Sequence, residues 1–280
     1  MNVPNHNYPK IIYKYRSWDN KYHQKILTEN QLYLASPKDF NDPFDCRIPN
    51  DYRVLSSDKK ILEYVDGLIG KHMVKLLSKG VDIDKERVRM FEEIKSNAEN
   101  VQSRDNDYIF KMQDKHFGVL SLSARWDSIL MWSHYGDFHR GFCIGLSEEK
   151  LRKSGRFGKG GMVFEIYSFA MVGYKSEFPS IDPRNSQNVE DSFVKTHNKA
   201  EDWSYEEEYR LTRTFFPDVP TNEDRTINFE DGFIEEIILG IKISQENKEE
   251  IIKIVSKKNV KVYQCYQVPY EFRIVKSIIA

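Results

Sequence analysis

The stretch of the chain that decides its fold is Phe117-Gly118-Val119-Leu120-Ser121-Leu122-Ser123, which follows a long helical block. Its alternation of apolar and small residues predicts a β-strand, because successive side chains of a strand point to opposite faces. Similar strand patterns occur at 11–16, 31–36, 141–146, 162–167, 233–243, 260–268 and 272–278. Strands and helices come in runs without regular βαβ alternation, so we predict an α+β fold with a mixed or mostly antiparallel sheet.

The block at 57–116 differs from its surroundings. Apolar residues such as Ile61, Val65 and Ile69 recur at helical spacing, and Lys and Glu fill the positions between them. Gly80 predicts a break between two helices. We interpret the block as a helical insertion within a single domain that spans 1–280. Further helices are predicted at 19–30, 126–139 and 194–200, and after an N-cap at Ser244.

Composition excludes several classes of protein. The 280 residues carry 42 Lys+Arg and 43 Asp+Glu, and a net charge of -1 argues against a general binder of nucleic acid or membrane surfaces. No apolar run approaches the ~20 residues of a membrane helix, and the first residues lack a signal pattern. Three widely spaced cysteines without a C-x-x-C pair argue against disulfides and structural zinc. These features predict a cytoplasmic protein.

Most familiar site patterns are missing. The glycine-rich stretch 155–161 fits neither the P-loop nor the dinucleotide-binding spacing, and its place between two predicted strands favours a hairpin turn. His134 and His139 are not at the i,i+4 spacing of a helical metal pair, so we predict no metal site.

Two candidate sites lie on predicted strands. Arg16 stands where the first strand becomes a loop, and a guanidinium there can bind a diphosphate through paired hydrogen bonds or form an ordinary salt bridge. Ser121 and Ser123 share one face of their strand, so both hydroxyls would point into the same cleft. Serines on strands are common, and by themselves these two are a weak signal.

A third candidate is the acidic run at Glu206-Glu207-Glu208 ahead of Arg210. In an extended segment, Glu206, Glu208 and Arg210 would share one face, where two adjacent carboxylates repel unless a partner or ligand uses them. In a short exposed helix, Glu206 would instead pair with Arg210 at i,i+4. The residues alone slightly favour the helix.

The run Phe40-Asn41-Asp42-Pro43-Phe44-Asp45 predicts a turn between two aromatic residues. The turn either borders the cleft, with Asn41 or Asp42 on the ligand, or is structural. The structural interpretation is favoured, with Asx side chains bonded to their own backbone and both phenylalanines in the core.

Several of these segments together resemble a bacterial family called domain of unknown function 2971. The stretches that carry the resemblance are 13–16, 32–37, 40–45, 120–123, 131–136 and 141–144. The closing signature W-x-x-E-x-E-x-R of that family is present as Trp203, Glu206, Glu208 and Arg210. The resemblance spans most of the chain outside the helical block.

The order of an early arginine, a central Ser-x-Ser strand and a late Glu-x-Glu also resembles the R-S-E layout of ADP-ribosyltransferases. This second resemblance implies an ADP-ribosyltransferase-like fold and NAD as substrate. Arg16 would hold the NAD diphosphate, and Ser121 and Ser123 would shape the nicotinamide-ribose pocket. Glu208 would stabilise the oxocarbenium-like ribose, and Glu206 would position the acceptor.

The same resemblance implies aromatic stacking on nicotinamide or adenine, for which Tyr15, Trp126 and Tyr135 are the candidates. The implied acceptor is a protein or a nucleic acid, and enzymes of this kind often serve as bacterial toxins or anti-phage effectors. Three features depart from the layout: the central element is Ser-Leu-Ser, the helical block at 57–116 separates the first two elements, and Arg210 could neutralise a carboxylate that the reaction needs.

Two other functions remain open on the sequence. The cleft could belong to a non-catalytic module that binds a nucleotide or a protein and leaves NAD intact. Alternatively, Glu206 and Glu208 could hold a divalent cation with nearby histidines in a phosphodiesterase or nuclease, whose activity a chelator would abolish.

Overall fold

A computed structural model of the chain describes residues 8–154, 169–185 and 189–280. The strands are β1 (Ile11–Arg16), β2 (Gln31–Tyr33), β3 (Phe117–Ser123), β4 (Phe142–Ser147), β5 (Phe169–Met171), β6 (Gly173–Lys175), β7 (Asn198–Ala200), β8 (Glu208–Thr214), β9 (Thr226–Asn228), β10 (Ile234–Leu239), β11 (Lys261–Gln267) and β12 (Ile274–Ile278). The α-helices are α1 (Lys21–Thr28), α2 (Asp58–Ser78), α3 (Ile83–His116), α4 (Ile129–His134), α5 (Glu148–Lys153), α6 (Val189–Thr196) and α7 (Gln245–Val255). The hairpin predicted at 155–161 and the strand predicted at 162–167 lie outside the described residues.

An eight-stranded sheet forms the centre of the described structure, in the order β12-β11-β10-β4-β1-β3-β8-β5. Its neighbours are antiparallel except β10 and β11, which are parallel because α7 connects them. Two small sheets, β2-β9 and β6-β7, complete the strand pairing. The predicted α+β class with a mixed, mostly antiparallel sheet is therefore confirmed.

The helical block consists of α2 and α3, which pack on each other around buried residues that include Ile61, Val65 and Ile94. Non-helical backbone angles at Asn97 interrupt α3. The two helices confirm the amphipathic pattern predicted for 57–116. That the block is an insertion within one domain stays a prediction.

The helix predicted at 126–139 is wrong in its length, because α4 ends at His134. Three consecutive residues after it, Asp137, Phe138 and His139, have positive φ angles of 51°, 52° and 69°. A right-handed helix cannot continue through such angles. The chain reverses direction here and returns to the sheet at Gly141.

Close backbone packing anchors this reversal to the end of β1. A Cβ atom built on Gly141 would lie 2.1 Å from the carbonyl oxygen of Arg16 and 3.0 Å from that of Gly136. Only glycine permits such an approach without moving the backbone. Gly141 therefore allows the chain to pack directly against Arg16, the last residue of β1.

One edge of β3 pairs with two different segments, β1 at one end and Ala35 at the other, and we call the gap between these two pairings the fork. The register between β1 and β3 places Tyr13 opposite Ser123, whereas the residue that pairs with Val119 is Ala35, with backbone hydrogen bonds of 2.8 Å in both directions. Ser121 lies between these two pairings on the same edge of β3. The fork at Ser121 is where the candidate site lies.

We expect Gly141→Ala to lower the free energy of unfolding by ~1–3 kcal/mol or more, because the added methyl group meets backbone atoms that have no free space to enter. Urea unfolding followed by circular dichroism measures the change. The control is Gly67→Ala in α2, where a Cβ meets nothing within 4 Å and better helix propensity should raise stability slightly. Equal stability of Gly141→Ala and wild type would contradict the packing argument.

Candidate functional site

A cavity of about 390 Å³ opens at the fork between β1 and β3. Its wall combines side chains of β1 and β3, the turn at 39–45, the end of α4 and the segment 199–208. These segments are distant in sequence and contain most of the candidate residues. Seven of the eight predicted site residues line the cavity: Tyr15, Arg16, Ser121, Ser123, Tyr135, Glu206 and Glu208.

Trp126, the eighth predicted residue, does not line the cavity. The Lys276 ammonium lies 4.6 Å from the centre of its ring, and its carbonyl oxygen accepts a 2.8 Å hydrogen bond from the Trp132 indole. The ring is therefore committed to packing against β12, and the structure does not place it where it could stack on a ligand in this cavity.

The acidic run at 206–208 follows neither of the two predicted geometries. A 3₁₀ turn covers Glu201–Glu206, Glu207 has a left-handed φ of 42°, and β8 begins at Glu208. The single left-handed residue turns the chain, so that the carboxylates on either side of it both reach the cavity wall. Glu207 instead points outward and pairs with Arg125 at 3.2 Å.

Arg210 holds the acidic side of the site together. Its side chain is fully buried and binds Glu208 through Nε and Nη2 at 2.7 and 2.8 Å. On its other edge, Nη1 and Nη2 bind the two oxygens of Asp45 at 2.9 Å each. Nη1 also donates a 2.6 Å bond to the carbonyl oxygen of Thr196 at the end of α6. Arg210 therefore neutralises Glu208, as the sequence had suggested it could.

Lys199 links Glu206 to this cluster. Its ammonium lies 2.7 Å from Glu206, 3.5 Å from Glu208 and 3.7 Å from Asp45. The hydroxyl of Tyr135 donates a 2.7 Å bond to the other oxygen of Glu206. Each oxygen of the Glu206 carboxylate thus has one donor, and the carboxylate is fixed at the cavity wall.

The two glutamates have opposite pKa shifts. Burial alone would raise the pKa of Glu208, but Arg210 and Lys199 outweigh it and hold that pKa at about 2. Burial also raises the pKa of Glu206, and here Lys199 does not reverse the effect because the nearby charge of Glu208 opposes it. Glu208 is therefore a permanent anion near neutral pH, whereas Glu206 binds a proton more readily than an ordinary glutamate.

The two serines of β3 have different roles. The Ser121 hydroxyl interacts with the Glu208 carboxylate and contributes to its low pKa. Ser123 is fully buried, and its hydroxyl lies 2.6 Å from the carbonyl oxygen of Glu206 and 3.0 Å from that of Arg125. Ser123 therefore fixes the turn that presents Glu206, and its hydroxyl is committed to the backbone.

The cavity wall also carries two basic side chains of β1, Lys14 and Arg16. Lys14 donates to the carbonyl oxygen of Ser121, and Arg16 makes a 3.4 Å contact with the carbonyl oxygen of Tyr15. Within the described residues, neither cation forms a salt bridge with a carboxylate. Burial lowers the pKa of Arg16 to about 10. Two poorly compensated cations thus face the cavity.

Aromatic side chains border the site on two sides. Tyr15 is buried, donates a 3.0 Å bond to the carbonyl oxygen of Arg125 and contacts Trp132 edge to face. At the end of α4, His134 is exposed and its ring lies 6.2 Å from that of Tyr205. The ring of His134 is therefore more exposed to solvent than that of Tyr15, and it precedes Tyr135 in the chain.

The turn at 40–45 is partly as predicted. Asp42 accepts a 2.9 Å bond from the backbone N–H of Phe44, which confirms the Asx turn. The prediction that both phenylalanines are core residues is wrong, because Phe44 is 62 % exposed. Asn41 lines the cavity, as Tyr135 does, so this turn does border the site.

Four charged residues that line the cavity were not predicted from the sequence: Lys14, Asp39, Asp45 and Lys199. Lys14 stands two residues before Arg16, on the same face of a strand, so its position could have suggested a second cation. Asp45 ends the Phe-Asn-Asp-Pro-Phe-Asp element, but no local pattern pairs it with Arg210, 165 residues away. Lys199 has no sequence signal that distinguishes it from the other lysines.

No group of three or more His, Cys, Asp and Glu side chains within the described ranges could hold a metal ion. Among the helices that the structure describes, none is both long enough and apolar enough to cross a membrane.

Comparison with protein families adds one match. The family described as "Protein of unknown function (DUF2971)" matches residues 131–211, which include Tyr135, Glu206, Glu208 and Arg210. The family predicted from the sequence motifs is confirmed over this part of the chain. No curated protein and no solved structure matches the chain. The resemblance to ADP-ribosyltransferases stays a prediction.

We expect Arg210→Met to lower the free energy of unfolding by ~3–5 kcal/mol at pH 7, because Asp45 and Glu208 would be left buried without their main cation. Chemical unfolding measures the loss. Adding Asp45→Asn and Glu208→Gln should restore part of it, since the buried charges are then removed as well. The matched surface change is Arg273→Met, which breaks an exposed pair with Glu271 and should cost less than ~0.5 kcal/mol.

The low pKa of Glu208 also predicts a pH dependence of stability. Its folded pKa of about 2 lies below the ordinary value of 4.5, so its contribution is complete above about pH 4.5 and is lost as the pH falls toward 2. Glu208→Gln should therefore destabilise the protein fully at pH 6 and less at pH 3.5. Unfolding curves of both proteins at the two pH values measure the difference. A penalty that does not change with pH would exclude this linkage.

Proposed function

We propose that this cavity binds NAD and that the protein is an ADP-ribosyltransferase-like enzyme, which transfers ADP-ribose to a macromolecule or to water. The observation that carries the proposal is the pair of β1 cations, Lys14 and Arg16, which have no carboxylate partner among the described residues and face two fixed glutamates across one cavity. A ligand that has negatively charged phosphates and a positively charged leaving group suits such a site, because the phosphates can bind the β1 side chains and the cationic part can lie beside the glutamates.

The phosphates of NAD would bind at β1. Lys14 and Arg16 are two residues apart on one strand face, so their Cα atoms are separated by ~7 Å. At that spacing each cation can bind one phosphate of a diphosphate, and the guanidinium can do so through two hydrogen bonds. The ligand would supply the anionic partner that Arg16 does not have among the described residues.

The two glutamates would then act on the ribose. As the bond between ribose C1′ and the nicotinamide nitrogen breaks, its electron pair leaves with nicotinamide and positive charge develops on the ribose. Glu208, ionised because of its low pKa, would stabilise that charge. Glu206, whose pKa is raised, would take the proton of the acceptor hydroxyl or water as its oxygen bonds to C1′.

One observation favours a second candidate, a module that binds a nucleotide without cleaving it. The Glu208 carboxylate already accepts hydrogen bonds from Nε and Nη2 of Arg210, and the Glu206 carboxylate accepts them from Lys199 and Tyr135. A binding module needs no free carboxylate, and in it the acidic cluster would serve only to fix the cavity wall.

NAD binding and nicotinamide release, measured separately, distinguish the two candidates. Wild type should bind NAD and release labelled nicotinamide, with label transferred to lysate components or to water. Arg16→Gln should weaken binding by ~10–100-fold, the loss expected for one charge-assisted hydrogen-bond partner. Glu206→Gln, which keeps the shape of the side chain, should bind NAD and lose most of the release.

The matched control is Arg140→Gln, an exposed arginine outside the cavity that pairs with Asp137, and it should behave as wild type. All variants are first compared with wild type by thermal unfolding, so that a loss of binding is not a loss of fold. NAD that is bound and stays intact in every lysate would establish the binding module instead. NAD that does not bind to folded wild type would rule out the enzyme and would also rule out NAD as the nucleotide of a binding module.

A further inference from the structure

Lys14 occupies an unusual place in the sheet. At the fork, Tyr13 pairs with Ser123 and Ala35 pairs with Val119, so the carbonyl oxygen of Ser121 between them faces the gap. The Lys14 ammonium donates to that oxygen and so replaces the missing backbone donor. This bond uses one of the three N–H groups of the ammonium, and the residue still lines the cavity.

The charged groups around Lys14 do not neutralise the positive charge of its ammonium form. Its own strand contributes Arg16, α1 contributes His23, and the segment 206–210 contributes Glu206, Glu208 and Arg210. Both glutamates are engaged by Arg210 or Lys199, and in the described residues no carboxylate is in salt-bridge contact with Lys14. Apart from tyrosines, the other ionisable groups on the cavity wall are Asp39, Asp45, His134 and Lys199.

Lys199 shows what compensation does to a buried lysine in the same site. Three carboxylates surround it, and they raise its pKa in spite of burial. Lys14 has only a neutral carbonyl partner, and burial and the neighbouring Arg16 lower its pKa well below the usual value. The pKa values of the two lysines of this cavity are therefore shifted in opposite directions, upward for Lys199 and downward for Lys14.

We propose that Lys14 is the proton-accepting half of the anion site, so that capture of a phosphate-bearing ligand at the fork takes up a proton onto its amine. An anion within hydrogen-bond distance stabilises the ammonium form, for which the described residues provide a carbonyl oxygen and no anionic partner. As applied to a nucleotide, the inference rests on the proposed function. The anion site itself does not.

Other groups near the fork are less suited to this role. Arg16 keeps its charge at neutral pH, because its pKa remains at about 10. The pKa of His23 is lowered to about 4 by burial, so a bound anion would have to raise it by more than three units before it took up a proton at pH 7.5. Glu206 is the remaining alternative, because its pKa is already raised.

Isothermal titration calorimetry in two buffers of different ionisation enthalpy counts the protons taken up. The probes are ADP-ribose, which has no nicotinamide bond to cleave, and inorganic sulfate, and neither exchanges protons near neutral pH. Wild type should take up a measurable fraction of one proton per ligand at pH 7.5. The uptake should rise from pH 6.5 to pH 8.5, because the free amine is more often neutral at higher pH, and the affinity should fall over the same range.

Lys14→Arg is the decisive variant, since it keeps a cation at the fork and removes the titration. It should bind the probes with little proton uptake, whereas the exposed control Lys21→Arg should retain the wild-type uptake. Lys14→Met should bind at least 10-fold more weakly and also without uptake. An uptake that persists in Lys14→Arg and disappears in Glu206→Gln would assign the proton to Glu206 and overturn the proposal.

The two probes separate this inference from the proposed function. Proton uptake with sulfate, in a protein that does not bind ADP-ribose, would support the role of Lys14 and reject the nucleotide. ADP-ribose bound without proton uptake would reject the role of Lys14 and leave the nucleotide site standing. No binding of either probe by the folded protein would overturn the anion site as a whole.

Discussion

The buried guanidinium of Arg210 is the interaction on which the rest of the site depends. It binds Glu208 on its own strand and Asp45 from the turn that follows β2, and it also binds the end of α6. Three segments that are distant in sequence are thereby fixed around one point. A buried ion pair of this kind is costly to break, because removing one partner leaves an uncompensated buried charge.

This arrangement divides the cavity into two electrostatic halves. On the acidic side, every carboxylate of the cluster formed by Asp45, Glu206 and Glu208 contacts a cation. On the β1 side, Lys14 and Arg16 meet only carbonyl oxygens within the described structure. The protein thus pairs these three carboxylates internally and leaves the two β1 side chains without an anionic partner, which is why an anionic ligand is the central expectation for this site.

Much of the framework was predictable because it follows from local patterns. The alternation at 117–123, the β-branched run at 11–16 and the Ser244 cap correspond to β3, β1 and α7. The membership of Arg16, Ser121, Glu206 and Glu208 in one cavity was proposed from a family layout and agrees with the cavity wall. The helix at 126–139 was overextended, because helical periodicity gives no sign that residues 137–139 adopt positive φ angles.

The sequence by itself determined the class of fold, the position of the helical block and the types of residue available to the site. These depend on side-chain period and backbone preference, which act over a few residues. Only the tertiary structure decided which charges meet. Arg210 could have bound Glu206 in a helical turn, and it binds Asp45 and Glu208 because the left-handed Glu207 and the sheet register bring them together. Likewise, Lys14 meets the carbonyl oxygen of Ser121 because the strands diverge there and leave that oxygen without a backbone donor, a property of strand pairing that no local pattern encodes.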